Sequence, residues 1–249
     1  MTKEEVLQNC TVEGFVVKLP NVQLDRKLYL EVAKSLELIG GKWKGGKVFG
    51  FTFAADPTEL LSQISNGEKK NLKKEFQFFE TPELLADKLV ELAEIKDDDD
   101  VLEPSAGQGA IVKAIHRKIW DKVVCGYELM EINHTFLNKI SGLMMFGYDF
   151  LTECHADTVG FDKIIANPPF SKNQDIDHIY KMYDCLKDGG RIVTIASKHW
   201  QTSTNKKETE FRNWLTTVGA EIQEIPAGTF KESGTMVGSV IIVINKYML

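Results

Sequence analysis

The sequence has few cysteines and histidines, and neither type is spaced to bind a metal. The four cysteines stand far apart at Cys10, Cys125, Cys154 and Cys185, without a Cys-x-x-Cys pair, and the five histidines form no cluster with ligand spacing. This pattern predicts neither a zinc site nor a disulfide framework. We therefore expect a reducing compartment, the cytoplasm, and a protein that works without a metal.

The sequence also lacks a long apolar run and a positive net charge. Its apolar stretches are too short for a membrane-spanning helix, so no membrane partner is expected. The formal net charge is −6, which is unfavourable for nonspecific binding to nucleic acid. Basic clusters at residues 69–74 and 206–207 are nevertheless compatible with a local basic surface that binds nucleic acid.

The composition and the order of predicted elements indicate a folded chain with two parts. Hydrophobic residues make up 43% of the 249 residues and charged residues 27%, values that argue against disorder. Residues 1–75 predict a small α+β module followed by a basic linker. Residues 76–249 predict a larger α/β domain.

The predicted module contains a strand at 15–19, a helix at 24–39, a Gly-Gly hairpin at 43–51 and a short helix at 58–64. Around the hairpin, positive charge lies beside an aromatic ring: the charge comes from Lys42, Lys44 and Lys47, and the ring is that of Trp43. Such a hairpin is suited to contact phosphates and stack a base. The alternative interpretation is that the module only covers the sheet of the larger domain and buries Trp43. Both interpretations stay open.

The larger region alternates strands and helices. We predict strands at 101–103, 123–128, 144–148, 163–166 and 191–196, and helices at 82–92, 110–119, 132–140, 174–186 and 209–218. Thr81 is the predicted N-cap of the first of these helices. Strands separated by helices predict right-handed crossovers and a doubly wound parallel sheet. Two final strands, at 222–225 and 237–244, follow each other without a helix, which predicts an antiparallel last strand.

A glycine-containing turn follows the first predicted strand of the larger region. It is formed by Glu103, Pro104, Ser105, Ala106, Gly107, Gln108 and Gly109. Glycines let the backbone pass close to a ligand, and the N-terminus of the next helix offers unpaired amides. A dinucleotide-binding turn would carry a third glycine where this chain has Val112. The turn therefore predicts a nucleoside-binding site of another kind.

Acidic residues follow the second and third predicted strands. Glu128, which Leu129 follows, is placed to accept hydrogen bonds from ribose hydroxyls. Asp149 is placed to accept a hydrogen bond from an adenine amino group. Phe150 is predicted to pack on the adenine ring. Ligands of doubly wound sheets bind at the carboxyl ends of the strands, which is where all these residues fall.

Asn167, Pro168, Pro169 and Phe170 follow the fourth predicted strand. Two consecutive prolines fix an extended backbone with exposed carbonyls. The Asn167 side-chain oxygen and the Pro168 carbonyl are placed to accept both protons of a planar amino group, while Phe170 stacks on its ring. Accepting both protons would direct the nitrogen lone pair at a methyl donor.

With this motif the chain resembles the DNA amino-methyltransferases, the class that makes N6-methyladenine and N4-methylcytosine. Asn-Pro-Pro-Phe is the form typical of the N6-adenine enzymes, and Phe79-Glu80-Thr81-Pro82 resembles a further motif of the family. The order of the motifs resembles the gamma arrangement. The resemblance implies a class I methyltransferase fold, Rossmann-like, with S-adenosylmethionine as methyl donor, S-adenosylhomocysteine as product and no metal.

The resemblance also implies roles for individual residues. Those expected to bind the donor are Phe79, Thr81, Pro82, Glu103, Pro104, Ser105, Ala106, Gly107, Gly109, Glu128, Leu129, Asp149, Phe150 and Asn167. Those expected to act on the amino group are Asn167, Pro168, Pro169 and Phe170, and those expected to face the substrate are Lys198, His199, Trp200 and Lys231.

Several functions are compatible with these motifs. DNA adenine N6 is the expected target, while RNA adenine, DNA cytosine N4 and a protein glutamine amide are alternatives for the same site. A noncatalytic nucleic-acid-binding relic of the fold is an alternative of another class. The chain has no room for the long target-recognition domain of sequence-specific members, so we expect short sequence specificity or a separate specificity partner.

Overall fold

The computed structural model describes residues 1–53, 56–68, 70, 81–157, 160–226, 228–230 and 238–247, except for the side chain at 132. The chain divides into two compact units, Met1–Phe78 and Phe79–Leu249. In the described ranges, no helix is both long and apolar enough to cross a membrane.

The N-terminal unit is a four-stranded antiparallel sheet with helices. Its strands are β1 (Thr11–Glu13), β2 (Val16–Lys18), β3 (Lys42–Lys44) and β4 (Gly50–Thr52), in the order β1-β2-β4-β3, and its helices are Lys3–Gln8, Arg26–Leu38 and Thr58–Ser65. Helix Arg26–Leu38 begins where the Asp25 carboxylate accepts hydrogen bonds from two backbone amides. Its Val32 and Leu36 pack with Phe51 of β4 in a buried core.

Two elements of this unit were not predicted, helix Lys3–Gln8 and strand β1. Both are short, at six and three residues, so neither shows enough periods of an apolar pattern to be recognised. The helix is nevertheless well specified, because Thr2 and Glu5 form a capping box at its start.

The larger unit is a seven-stranded sheet with helices between most of its strands. Its strands are β5 (Val101–Glu103), β6 (Val124–Tyr127), β7 (Leu143–Gly147), β8 (Phe161–Ala166), β9 (Leu186–Ser197), β10 (Glu221–Glu224) and β11 (Ser239–Asn245). Its helices are Glu83–Ala93, Ala110–Lys118, Glu131–Leu137, Phe150–Glu153, Gln174–Asp184, His199–Thr202 and Lys206–Thr217, with a 3-10 turn at Ser171–Asn173.

The strand order is β10-β11-β9-β8-β5-β6-β7, and β11 runs antiparallel to both of its neighbours while β5 to β9 pair in parallel. The doubly wound sheet and its antiparallel last strand are therefore confirmed. Successive residues of a strand face opposite sides, so Leu102 and Ile164 belong to one buried cluster while Val101 and Ile165 belong to the other. Two apolar layers enclose the sheet.

The largest difference in a predicted boundary concerns β9, which begins at Leu186 and not at 191. The extra residues include Gly189 and Gly190, which predict a turn from their type. They pair instead with the end of the chain, since Gly189 N donates to the Lys246 carbonyl at 2.7 Å and Lys246 N donates to the Gly190 carbonyl at 3.0 Å. A pairing between residues so distant in sequence cannot be inferred from local pattern.

Candidate active site

The glycine-containing turn after β5 is held against β6 by backbone hydrogen bonds. Ala106 N donates to the Tyr127 carbonyl at 2.9 Å, and Gly109 N donates to the Ala106 carbonyl at 2.7 Å. Gly107 and Gly109 have φ of 55° and 79°, in the left-handed region that favours glycine. A Cβ at Gly109 would lie 2.2 Å from Cδ1 of Ile140. The turn therefore favours glycine at this position because of its backbone conformation, and a larger residue would also displace the Ile140 side chain.

The Glu128 carboxylate, directly after β6, is buried and binds this turn. Oε2 accepts a hydrogen bond from Gly107 N at 2.7 Å, and Oε1 accepts from Met130 N at 2.8 Å and from Asn133 Nδ2 at 3.0 Å. Burial raises the pKa of Glu128, although these three donors act in the opposite direction. The sequence indicated the acid at this strand end but not its bond to the glycine turn.

Glu103, the last residue of β5, is a second buried carboxyl in the same place. The backbone amide of Val112 donates to it, while Oε2 has no hydrogen-bond partner among the described residues. Burial, and then the charge of Glu128, raise the pKa of Glu103 well above its usual range. A buried carboxyl oxygen without a partner is costly when the group is charged, and the raised pKa reflects this cost.

The third strand end combines a half-buried residue, Asp149, with a buried one, Phe150. The Asp149 carboxylate accepts a hydrogen bond from Leu151 N at 3.0 Å and caps helix Phe150–Glu153. The prediction that the Phe150 ring packs on a ligand is wrong: the ring is 1% exposed and packs against Tyr127 and His178 in the core. Leu129, by contrast, is exposed beside Glu128.

The Asn-Pro-Pro-Phe turn follows β8, next to β5 in the sheet. Nδ2 of Asn167 donates a hydrogen bond to Oγ1 of Thr81 at 3.1 Å, across 86 residues of sequence. Pro168 is buried, Pro169 is half-buried, and Phe170 is half-buried against the core. The two motifs that were identified separately in the sequence therefore meet through one side-chain hydrogen bond.

This contact explains why Thr81 is not the N-cap that the sequence predicts. Helix Glu83–Ala93 begins after Pro82, which is its N-cap and makes no side-chain capping bond. The Thr81 side chain is buried and binds Asn167 instead. The Thr81 hydroxyl therefore binds a residue distant in sequence and forms no capping bond with its own helix.

Sequence reasoning missed Glu208, which stabilises the loop beyond the Asn-Pro-Pro-Phe turn. Its buried Oε1 accepts hydrogen bonds from Asn173 Nδ2, Ser203 Oγ and Asn205 Nδ2 at 3.0 to 3.1 Å. These bonds, with that of the Asn205 side chain first, lower the pKa of Glu208 to about 2. Asn173 lies in the left-handed region with Lys172, at φ of 60° and 54°. A lone glutamate in a polar helix gives no signal of such a role.

The four residues expected to face the substrate are distributed differently. Lys198 pairs with Glu224 of β10, and Nε2 of the exposed His199 lies 3.3 Å from Oε1 of Glu208. The prediction for Trp200 is wrong, since its ring is 3% exposed and packs edge-on against Phe211. Lys231, like Phe79 of the donor motif, lies outside the described residues.

The buried Glu103 carboxyl predicts a pH-dependent stability. Because its folded-state pKa is raised, the contribution of Glu103 to stability should fall as pH rises from the usual value of 4.5 through the folded-state pKa. Glu103→Gln removes this ionisation. We expect its free energy of unfolding to equal that of wild type near the lower end of this range and to exceed it by about 1 kcal/mol or more at neutral pH.

Urea unfolding of both proteins across this pH range measures the difference. Glu91→Gln, at an exposed position of helix Glu83–Ala93, is the matched control and should follow wild type throughout. A constant difference between Glu103→Gln and wild type at all pH values would contradict the raised pKa.

No protein-family model matches the sequence, and no curated protein is similar to it. Solved structures are similar to it in fold. The methyltransferase subunit of the type I restriction-modification system from Streptococcus thermophilus is 18% identical with a TM-score of 0.60, over 68% of this chain and 44% of that subunit. The M protein of the type I restriction enzyme EcoKI is 15% identical with a TM-score of 0.57, over 91% of this chain and 52% of that protein.

TrmN from Thermus thermophilus is 18% identical with a TM-score of 0.51, over 72% of this chain and 54% of that protein. The chain therefore spans about half the length of these structures. At such identities the likeness concerns the fold, and the strand order with its antiparallel last strand β11 agrees with it. The chain has a class I methyltransferase fold.

Proposed function

We propose that this chain transfers a methyl group from S-adenosylmethionine to the exocyclic amino group of a base in DNA, at adenine N6. The observation that carries the proposal is the hydrogen bond between Asn167 and Thr81, beside the glycine turn of β5. It fixes an amide acceptor at the strand end where doubly wound sheets bind their ligands.

The residues at the neighbouring strand ends fit the donor. The glycine turn after β5 admits a ligand close to the backbone, and Asp149 and the exposed Leu129 flank it with a carboxylate and an apolar surface. The uncompensated Oε2 of Glu103 fits the positively charged amino group of the donor's methionine part. When bound, S-adenosylmethionine supplies an electrophilic methyl group on a positively charged sulfur.

The Asn-Pro-Pro-Phe turn fits a planar amino group. Since Nδ2 of Asn167 donates to Thr81, the side chain is oriented, and its Oδ1 is the acceptor for one amino proton. The Pro168 carbonyl accepts the other, and Phe170 stacks on the base. Such positioning supplies a large part of the rate in a direct transfer. The base must leave the helical stack to reach this site.

The choice of adenine in DNA is supported by the Asn-Pro-Pro-Phe form of the motif and by two of the fold neighbours. The S. thermophilus and EcoKI proteins are both methyltransferase components of type I restriction-modification systems.

We further propose that specificity comes in part from a separate partner, because the loop after β9 is short. It contains one small helix, His199–Thr202, before the next helix begins at Lys206.

Incubation with tritium-labelled S-adenosylmethionine and separate pools of DNA, RNA and protein tests the proposal. We expect label in DNA and N6-methyladenine after digestion to nucleosides. Label confined to RNA or protein, or appearing as N4-methylcytosine, would overturn the proposed target.

A thermal shift with the donor tests the noncatalytic alternative, because a ligand that binds the folded state raises the melting temperature. Absence of both shift and label would favour that alternative.

Asn167→Ala should abolish methyl transfer while donor binding survives. The variant removes an oriented acceptor of the target amino group, and the loss of such a contact costs about 3 kcal/mol or more in the transition state. Activity is measured with labelled donor and binding by isothermal titration. Near-normal activity would contradict the role of Asn167.

Thr81→Val should lower the transfer rate by about five- to tenfold, because Asn167 loses the acceptor that orients it. Thr81→Ser keeps the hydroxyl oxygen and is the matched control, with a rate close to wild type. The KM for DNA should change little in either variant. If Thr81→Val keeps an activity close to wild type, the hydrogen bond to Asn167 does not matter for the transfer.

Asp149→Ala should weaken donor binding by roughly 1.5 to 3 kcal/mol, the typical contribution of a hydrogen bond to a charged group. The same substitution also removes the cap of helix Phe150–Glu153, so Asp149→Asn is needed as a second variant. Asn keeps an oxygen for Leu151 N and removes only the charge. Isothermal titration of both variants, with Glu131→Gln as an exposed control, measures the effect. Unchanged affinity in both would make Asp149 a helix cap alone.

A further inference from the structure

We propose that a groove in the N-terminal unit binds single-stranded DNA, separately from the methyl-transfer site. The groove has a volume of about 660 Å³, within the usual range of ligand sites. Lys18, Arg26 and Lys47 supply positive charge along it, and Tyr29, Trp43 and Phe49 supply aromatic rings. All of these residues belong to the unit Met1–Phe78.

The charge of the groove favours an anionic ligand. Three of its lining residues are basic, and none of the described residues that line it is acidic. Glu13 pairs with Lys18 at 2.5 Å, and the nearby Asp25 carboxylate already accepts two backbone amides as a helix cap. Arg26 and Lys47 are both exposed. The groove therefore keeps a local positive charge in a chain whose net charge is −6.

The aromatic rings favour unpaired bases over a duplex. Trp43 is 41% exposed and Phe49 is 70% exposed, and their centroids lie 5.3 Å apart in an edge-on contact. Exposed rings beside cations are the combination that binds single strands, because each base offers a face for stacking and each phosphate a charge. Bases inside a duplex are already stacked and would leave these rings without a partner.

The backbone at Phe49 supplies an independent observation. Its φ is 42°, in the left-handed region that a bulky aromatic residue rarely adopts. Glycine would adopt this conformation with less strain, and the exposed ring adds little burial. Strain of this kind is typical of functional positions. We infer that Phe49 stands at this strained position because its ring lines the groove and stacks on a base.

The choice of DNA over RNA rests on the proposed function, since both have unpaired bases and phosphates. The groove would hold an unpaired part of the DNA that is methylated. An acidic peptide would match the cations but would not use the rings for stacking.

Fluorescence anisotropy with the full chain tests the groove. The probes are a labelled oligothymidylate of about 16 nucleotides, the corresponding oligouridylate and a duplex of the same length. Phe49→Gly and Trp43→Ala should each weaken oligothymidylate binding about tenfold. Lys47→Glu should weaken it and make the affinity less dependent on salt, because fewer counterions are released.

Matched controls come from the same unit and lie outside the groove. Phe15→Ala removes another exposed aromatic ring, and Lys34→Glu reverses another exposed cation, so both should bind like wild type. Phe49→Gly relieves the strained φ, and its melting temperature should not fall. A loss of binding with an unchanged melting temperature therefore supports the groove.

The proposal is overturned if Phe49→Gly and Lys47→Glu both bind the oligothymidylate like wild type. Tighter binding of the duplex or of oligouridylate, or complete displacement by polyglutamate, would overturn it as well. Asn167→Ala should retain groove binding. Failure of methyl transfer with intact groove binding would count against the proposed function alone, and methyl transfer without groove binding would count against the groove alone.

Discussion

The candidate site depends on the parallel pairing of β5 with β6 on one side and with β8 on the other. The chain reverses its direction of winding at this point, so that the loops after β5 and β8 separate and leave a crevice between them. The glycine turn follows β5 and the Asn-Pro-Pro-Phe turn follows β8. Their proximity comes from the backbone ladder of the sheet, and a change in strand order would place them apart.

Two buried carboxyls at the same place are electrostatically unfavourable for the folded state. Glu128 is compensated by three donors, one of which belongs to the glycine turn, whereas Glu103 keeps an oxygen without a partner among the described residues. Burying such groups destabilises the fold. A cationic ligand would offset this penalty, which ties the stability of the unit to the occupancy proposed for the site.

Both units contain residues in the left-handed region of backbone conformation, but the type of residue differs between them. In the larger one, Gly107 and Gly109 take the left-handed conformations at low cost, and without side chains they leave the backbone accessible to the ligand proposed for the site. In the N-terminal unit, Phe49 takes such a conformation with a large side chain, and the surface it creates is the ring. The first arrangement fits a ligand that must approach the backbone closely, and the second fits one that stacks.

The sequence by itself determined the order of the strands and of the longer helices in the larger unit, the antiparallel last strand and the turns at which chemistry is expected, but not the four-residue helices Phe150–Glu153 and His199–Thr202. These follow from local periodicity, from glycine and proline, and from the rule that parallel strands share a carboxyl edge. Only the tertiary structure decided which side chains at those turns are exposed. Phe150 and Trp200 lie in the core, Thr81 binds Asn167 and does not cap its own helix, and Glu208 stabilises a loop, because these contacts join different elements of the fold. Burial and long-range hydrogen bonding depend on which elements pack together, and a local pattern does not contain that information.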